Sequence, residues 1–193
     1  MALQDRFETT QYSIADYLAA ERIAMEKHEF LDGEIRAMPG ARKEHLRVTP
    51  QLSAFFTNEF EDGPCEYLDS DVKVWIPSKR IFTYPDGAIA CLPEWSDQDA
   101  TGILLNPKVI FEVLSPSTEA YDRGGKFRSY RSLTTLEDYV LIDTSMPVVE
   151  IFSGPDWVLK TFEGLDAVAH IPSVGLDLPL RRIYRKTFAA SKS

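Results

Sequence analysis

The chain has 193 residues, 44% of them hydrophobic and 26% charged, which is the composition of a folded domain with one substantial core rather than of a disordered chain. No apolar run approaches the roughly 18 residues of a membrane-spanning helix. A net charge of −9 argues against a broad basic surface for nucleic acid, while leaving room for a local one.

Residues 13–26 read as a helix: Ser13 is a suitable N-cap with Asp16 three positions on, and Ile14, Tyr17, Leu18 and Met25 supply an apolar stripe. The segment around Glu29–Met38 carries Asp32-Gly33 between extended residues, a hairpin signal. After Pro39-Gly40 a second helix is expected from Arg42 to Phe60, with Pro50 kinking it or marking its true start. The centre is β-rich. CEYLDSDVKVWI alternates Val72, Val74 and Ile76 with polar residues and reads as a strand with one wet face. RIFTYPDGAIAC reads as a strand bent at Pro85, and PKVIFEVLSP as a strand buried on both faces. Asp122–Leu133 reads as a helix, followed by strands at YVLID, VVEIF and Trp157–Phe162 and a last helical turn near Leu180–Tyr184. This order suits a mixed sheet flanked by helices. Basic residues gather at Arg123, Lys126, Arg128 and Arg131 and again at Arg181, Arg182, Arg185 and Lys186, where a solvated face or tail is the simpler account.

Cys65 and Cys91 have no zinc-site spacing and read as two thiols of a reducing cytosol, with a disulfide as the alternative. The N-terminus lacks a basic segment followed by an apolar one, so a cytoplasmic location is expected.

Two carboxylates stand where carboxylates are costly. Asp86 follows Tyr84-Pro85 on a largely apolar strand, and Glu112 interrupts Val109-Ile110-Phe111-Glu112-Val113-Leu114. Burying either charge requires compensation, by a basic partner or by a metal ion. Neighbouring strands would let both converge on one Mg²⁺; a buried salt bridge is the other outcome, and spacing alone does not separate them.

Downstream of Glu112 the run E-V-L-S-P-S-T, then Asp122-Arg123, Lys126 and Tyr130-Arg131, becomes distinctive. With Tyr84-Pro85-Asp86, the FLDGEI hairpin, His45 and Glu137–Asp143, it resembles the Uma-two family of restriction-endonuclease-like proteins, a branch of the PD-(D/E)XK superfamily. The resemblance spans most of the chain. It implies a single α/β domain with a restriction-endonuclease-like mixed central sheet flanked by helices, divided into an N-terminal helix and hairpin (13–38), a catalytic core (about 40–153) and a C-terminal strand and tail (154–193).

It further implies a metal-dependent endonuclease acting on nucleic acid, with DNA the expected substrate, Mg²⁺ or Mn²⁺ the cofactor and a homodimer the expected assembly. Asp86 and Glu112 would be metal ligands, with the Val113 carbonyl a third. The superfamily lysine two residues after the acidic strand residue is here Leu114, and Lys126 on the following helix matches the family's migrated lysine. Lys108 is the alternative. Gly87, Gly125 and Val140 depart from the pattern without removing a ligand. His45 either meets the metal water or a phosphate, or caps a helix; Tyr130, on the Lys126 face, either orients the lysine or packs. Glu34 and Glu44 are further acidic candidates. The competing function is a catalytically weak nucleic-acid- or protein-binding module on the same scaffold, and a third is a structural dimer whose carboxylates are ion-paired.

Overall fold

The computed structural model describes residues 11–38, 40, 43, 45–98 and 102–188. Helix α1 (Ile14–Glu21) opens with a capping box in which Ser13 and Asp16 satisfy each other's end of the first turn. It stops five residues short of the expected end, and Met25, read as part of its stripe, is exposed. The reason lies in Glu21, whose carboxylate accepts from the His28 N–H (2.9 Å) and the Tyr84 hydroxyl (2.9 Å) and so turns the chain into the next strand. Strands β1 (His28–Leu31) and β2 (Glu34–Ala37) form the expected hairpin. Asp32 and Gly33 both have positive φ, 48° and 105°, which a two-residue hairpin loop of this hand demands. Helix α2 (His45–Glu59) runs through Pro50, near its N-terminus; the expected start at Arg42, like Glu44, lies outside the described residues.

The two central strands expected from the sequence are each split between two sheets. CEYLDSDVKVWI becomes β3 (Cys65–Asp69) and β4 (Lys73–Ile76), and RIFTYPDGAIAC becomes β5 (Ile81–Thr83) and β6 (Gly87–Cys91). Pro85 has no N–H to offer a ladder, and at Tyr84-Pro85-Asp86 the chain leaves one sheet for the other. Nor is β4 wet on one face, although Glu66 and Asp69 of β3 are exposed. Lys73 is buried, its ammonium 5.4 Å and 5.7 Å from the centres of the Tyr17 and Tyr84 rings. A short β7 (Ile103–Leu104), which the sequence did not announce, pairs parallel with β4.

Strand β8 (Val109–Val113) is buried at every residue, as its apolar run implied. The helix after it begins at Glu119 rather than Asp122. It is built from α3 (Glu119–Tyr121), a π-helical turn (Asp122–Lys126) and α4 (Phe127–Tyr130). Then come β9 (Asp138–Ile142), β10 (Val148–Ser153), β11 (Val158–Glu163), the ribbon β12 (Val168–Ile171) and β13 (Leu176–Pro179), and α5 (Leu180–Ile183).

One sheet has the order β2-β1-β5-β4-β7 and the other β11-β10-β9-β8-β6-β3; β12 and β13 form a separate ribbon. In the second sheet β8 and β9 are parallel and the remaining pairs antiparallel, a mixed α/β architecture. The parallel pair needs a crossover, and the 119–130 helix supplies it. On one face of β8, Val109, Phe111 and Val113 pack with Val48, Leu52 and Phe56 of α2; on the other, Ile110 and Leu114 pack with Tyr130, Tyr139 and Leu141.

Cys65 and Cys91 form a disulfide, where the sequence reading expected free thiols. They are 26 residues apart in sequence but register partners on β3 and β6, and directly opposed residues of an antiparallel pair bring their Cβ atoms within bonding reach of two sulfurs. Among the described residues no helix is long and apolar enough to cross a membrane.

Candidate active site

Register explains how two carboxylates far apart in sequence meet. Gly87 is paired with Phe111, which sets Asp86 beside Glu112 at the next step. Asp86 is then fixed from both ends of its side chain: Oδ2 accepts from the Val113 N–H at 2.6 Å and Oδ1 lies 2.7 Å from His45 Nε2. Its own N–H donates to the Phe111 carbonyl at 3.1 Å.

The π turn brings Lys126 to the same place. Its ammonium donates to Glu112 Oε2 at 3.1 Å and to the Tyr84 carbonyl at 3.3 Å. Glu112 Oε1 lies 3.0 Å from the same nitrogen but outside hydrogen-bond geometry, and this buried oxygen has no hydrogen bond. The lysine is not the surface partner of Asp122 that a simple i, i+4 pair suggests. Both side chains are buried, with Nζ 3.8 Å from Asp122 Oδ1.

Glu29, on β1, also faces this ammonium, with Oε1 at 3.8 Å. The same oxygen accepts a short bond from the Thr83 hydroxyl, and the Tyr121 hydroxyl reaches Oε2 at 3.4 Å. Sequence reasoning missed Glu29 because a glutamate in a hairpin strand looks like its solvent face. The available signal was its place between His28 and Phe30 on a strand whose partner β5 is itself apolar.

Three carboxylates, Glu112, Glu29 and Asp122, thus stand within 4 Å of one ammonium, with Asp86 beside Glu112. Burial pushes the Glu112 carboxyl well above its ordinary range, opposed by Lys126 and reinforced by Asp86 and Asp122. Asp122 is raised for the same leading reason, burial. For Lys126 burial pulls the other way, but Glu112, Glu29, Asp122 and Asp86 outweigh it and hold the ammonium charged. The group lies at the floor of an open cavity of about 660 Å³. Lys27 and Arg36 line one side of the cavity and the Ser115, Ser117 and Thr118 hydroxyls another; Ser115 Oγ is 3.1 Å and 3.0 Å from the other two.

Asp86, Glu112, Val113, Lys126 and His45 are therefore brought together. Lys108 is not: it pairs with Glu137 away from the cavity. Glu34 is exposed and paired with Arg36 at 2.7 Å. Tyr130 is fully buried with its ring 5.8 Å from that of Tyr139, and burial pushes its phenol well up. Of the basic clusters, Arg123 is held by Glu119 (2.8 Å) and Glu150 (2.5 Å), and Arg181 by Asp166. Two departures from the family pattern have local partners. A Cβ on Gly87 would lie 2.2 Å from the Tyr67 hydroxyl, and one on Gly125 would lie 2.8 Å from the Tyr121 ring; each glycine makes room for a tyrosine beside the site.

Among the described residues no three His, Cys, Asp or Glu side chains are grouped to hold a metal ion by themselves. Two carboxylates, Asp86 and Glu112, line the cavity beside Val113, and Glu112 Oε1 is buried without a hydrogen bond. Such a set suits a hard cation that keeps several of its waters, so the residues fit Mg²⁺ or Mn²⁺.

The architecture is nuclease-like. It is similar to the crystal structure of a "putative nuclease belonging to DUF820" from Anabaena variabilis, with a TM-score of 0.73, 16% identity, and 88% of this chain and 96% of that chain covered. Over residues 14–181 the chain matches the family Uma2, described as "Putative restriction endonuclease", and it belongs to that family. It is 38% identical over 173 residues to the uncharacterized protein slr1290 of Synechocystis sp., covering 88% of this chain and 90% of the relative. A second Synechocystis protein, sll1609, is 36% identical over 157 residues, covering 79% and 88%.

Proposed function

We propose that this chain is a divalent-metal-dependent endonuclease that hydrolyses phosphodiester bonds in DNA. The carboxylates of Asp86 and Glu112 and the carbonyl of Val113 would hold Mg²⁺ or Mn²⁺. The observation that carries this reading is the burial of Lys126 against Glu112, beside Asp86, on the floor of an open cavity. A buried ion pair is weak evidence for stability. Three carboxylates around one ammonium, with a fourth beside them, make poorer sense still as a structural device, because burial disfavours the charged form of acids gathered in this way.

A divalent ion held there would supply Lewis acidity toward a phosphoryl oxygen and a water of lowered pKa. The chain's own part is positional and electrostatic. Lys126 meets the negative charge that grows on the phosphate oxygens as water attacks. His45 holds one oxygen of Asp86 and the Val113 N–H the other, so the carboxylate cannot rotate away. Lys27 and Arg36 stand at the cavity wall, each paired with a carboxylate (Asp71 at 2.6 Å and Glu34 at 2.7 Å) that a neighbouring phosphate would have to displace. Because both sheets contribute to the site, we treat the chain as one domain. Cutting both strands of a duplex calls for two sites, so a homodimer belongs to the proposal, as does a cytoplasmic location where DNA is met.

The test is cleavage of a panel of duplex, single-stranded and branched DNA and RNA, with Mg²⁺ and with Mn²⁺. Wild type is expected to cut DNA, and Asp86→Asn and Glu112→Ala to abolish cutting. Wild type and mutants equally inactive across the panel would favour the binding-module reading instead.

A further inference from the structure

We propose that Glu29 is a positioning residue that keeps the Lys126 ammonium at the site when a divalent ion engages Glu112. This rests on the metal-centre reading above. In the structure the ammonium stands against both Glu112 oxygens, at 3.0 Å and 3.1 Å. A cation drawn to those oxygens competes for them and repels the lysine. An ammonium has three donors, and Glu112 and the Tyr84 carbonyl are its only hydrogen-bond acceptors among the described residues.

Two other carboxylates stand ready at 3.8 Å, Glu29 Oε1 and Asp122 Oδ1. They are not equivalent. Asp122 rides on the same helix as Lys126, so it moves with the lysine and cannot fix it relative to the strands. Glu29 comes from β1 and is tied to β5 by the Thr83 hydroxyl and to the helix by Tyr121. It is also 7% exposed, so little water competes for it. A second observation bears on the same place: Glu112 Oε1, on a side chain 2% exposed that lines the cavity, has the ammonium at 3.0 Å yet accepts no hydrogen bond, so the lysine does not saturate it. The arrangement gives the lysine somewhere to go that is still at the site.

Titration calorimetry with Mn²⁺ on the full chain tests this through a double-mutant cycle of Glu29→Gln and Lys126→Ala. Glu29→Gln is expected to weaken Mn²⁺ binding by roughly tenfold, in the range of coupling between contacting residues. In the Lys126→Ala background the same change is expected to cost less than about twofold, because no ammonium is left to hold. A merely structural role for Glu29 gives no such coupling. An equal or larger penalty without the lysine makes Glu29 a direct ligand or a general source of negative field, and overturns the proposal; no penalty in either background does so too. A wild-type chain that binds no Mn²⁺ overturns the metal centre itself and the hand-over with it. The crystal structure of the Mn²⁺-bound wild type supplies a second reading should Glu29→Gln fail to fold. There Lys126 Nζ is expected within about 3 Å of Glu29 Oε1, and a lysine still seated on Glu112 would refute the idea.

Discussion

The ammonium of Lys126 lies 3.0 Å from one oxygen of Glu112 and 3.1 Å from the other, with both side chains buried, although 14 residues separate them in sequence. The strand position two residues beyond the acid is Leu114, which packs into the apolar cluster on that face of β8. The crossover helix returns over the sheet and delivers the charge instead. Lys126→Ala is expected to lower cleavage by about 100-fold or more without weakening Mn²⁺ binding. It should also destabilise the metal-free chain by about 3 kcal/mol, since it strands a buried carboxylate. Lys126→Arg should restore little activity, because a planar guanidinium does not fit where a compact ammonium sits. Single-turnover kinetics and chemical denaturation measure the two effects separately.

His45 gives a second expectation. Its ring holds Asp86 Oδ1 at 2.7 Å, and removing a group that orients a metal-binding carboxylate typically costs 10–100-fold, as a rough range, in metal affinity or activity. His45→Ala should therefore reduce Mn²⁺ affinity and cleavage together. Reduced cleavage with unchanged Mn²⁺ affinity would instead assign His45 to the phosphate rather than to Asp86.

The raised carboxyl of Glu112 sets a pH dependence. A group whose folded pKa lies above its unfolded one contributes its full stability below the unfolded value and loses it as pH rises through the folded value. For Glu112 the window opens near 4.5, its ordinary value, and extends upward because burial raises the folded one. Asp122 acts in the same direction. Thermal melts of the metal-free protein should show this contribution fading as pH rises above 4.5, with a shallower decline in Glu112→Gln. Parallel curves for the two proteins would mean that Glu112 does not titrate in that window.

The Cys65–Cys91 bond closes a loop of 26 residues that contains β4, β5 and Asp86. Loop-closure arguments give about 3 kcal/mol for a cross-link of this span. Reduction, or the Cys65→Ser/Cys91→Ser variant, should lower the unfolding free energy by that order while leaving the far end of β6, and hence Asp86, in register. Denaturant titration with and without reductant checks the first part, and Mn²⁺ affinity of the reduced protein the second.

Much of this was legible in the sequence because it rested on local pattern. The capping box at Ser13, the Asp32-Gly33 turn and the apolar run around Glu112 each announced an element from its own residues. Pairing was not legible in the same way. Val72, Val74 and Ile76 alternate as a strand should, yet nothing local says that residues 65–69 and 73–76 join different sheets, because that depends on which partners are available. Lys73 looked wet for the same reason, since the rings of Tyr17 and Tyr84 that cover it come from elsewhere in the chain. Glu29 was overlooked where Glu112 was noticed. A carboxylate stands out inside five apolar residues and disappears in a hairpin, although the fold buries both.

The π-helical turn at Asp122–Lys126 has a bearing on how such a site can arise and be lost. A wide turn of this kind accommodates one residue more than an α-helical ladder needs, and here two of its five residues are glycines. Removing Gly124 or Gly125 would take out that extra residue and let the helix wind in the ordinary way, so Phe127 and the residues after it would keep their faces toward the sheet, while Asp122 and Lys126 would stand three positions apart instead of four. The wide turn thus absorbs a change of length by one without undocking the helix. A lysine that serves from a helix can in this way be gained, kept or traded for its neighbour by small changes of length that leave the rest of the fold in place.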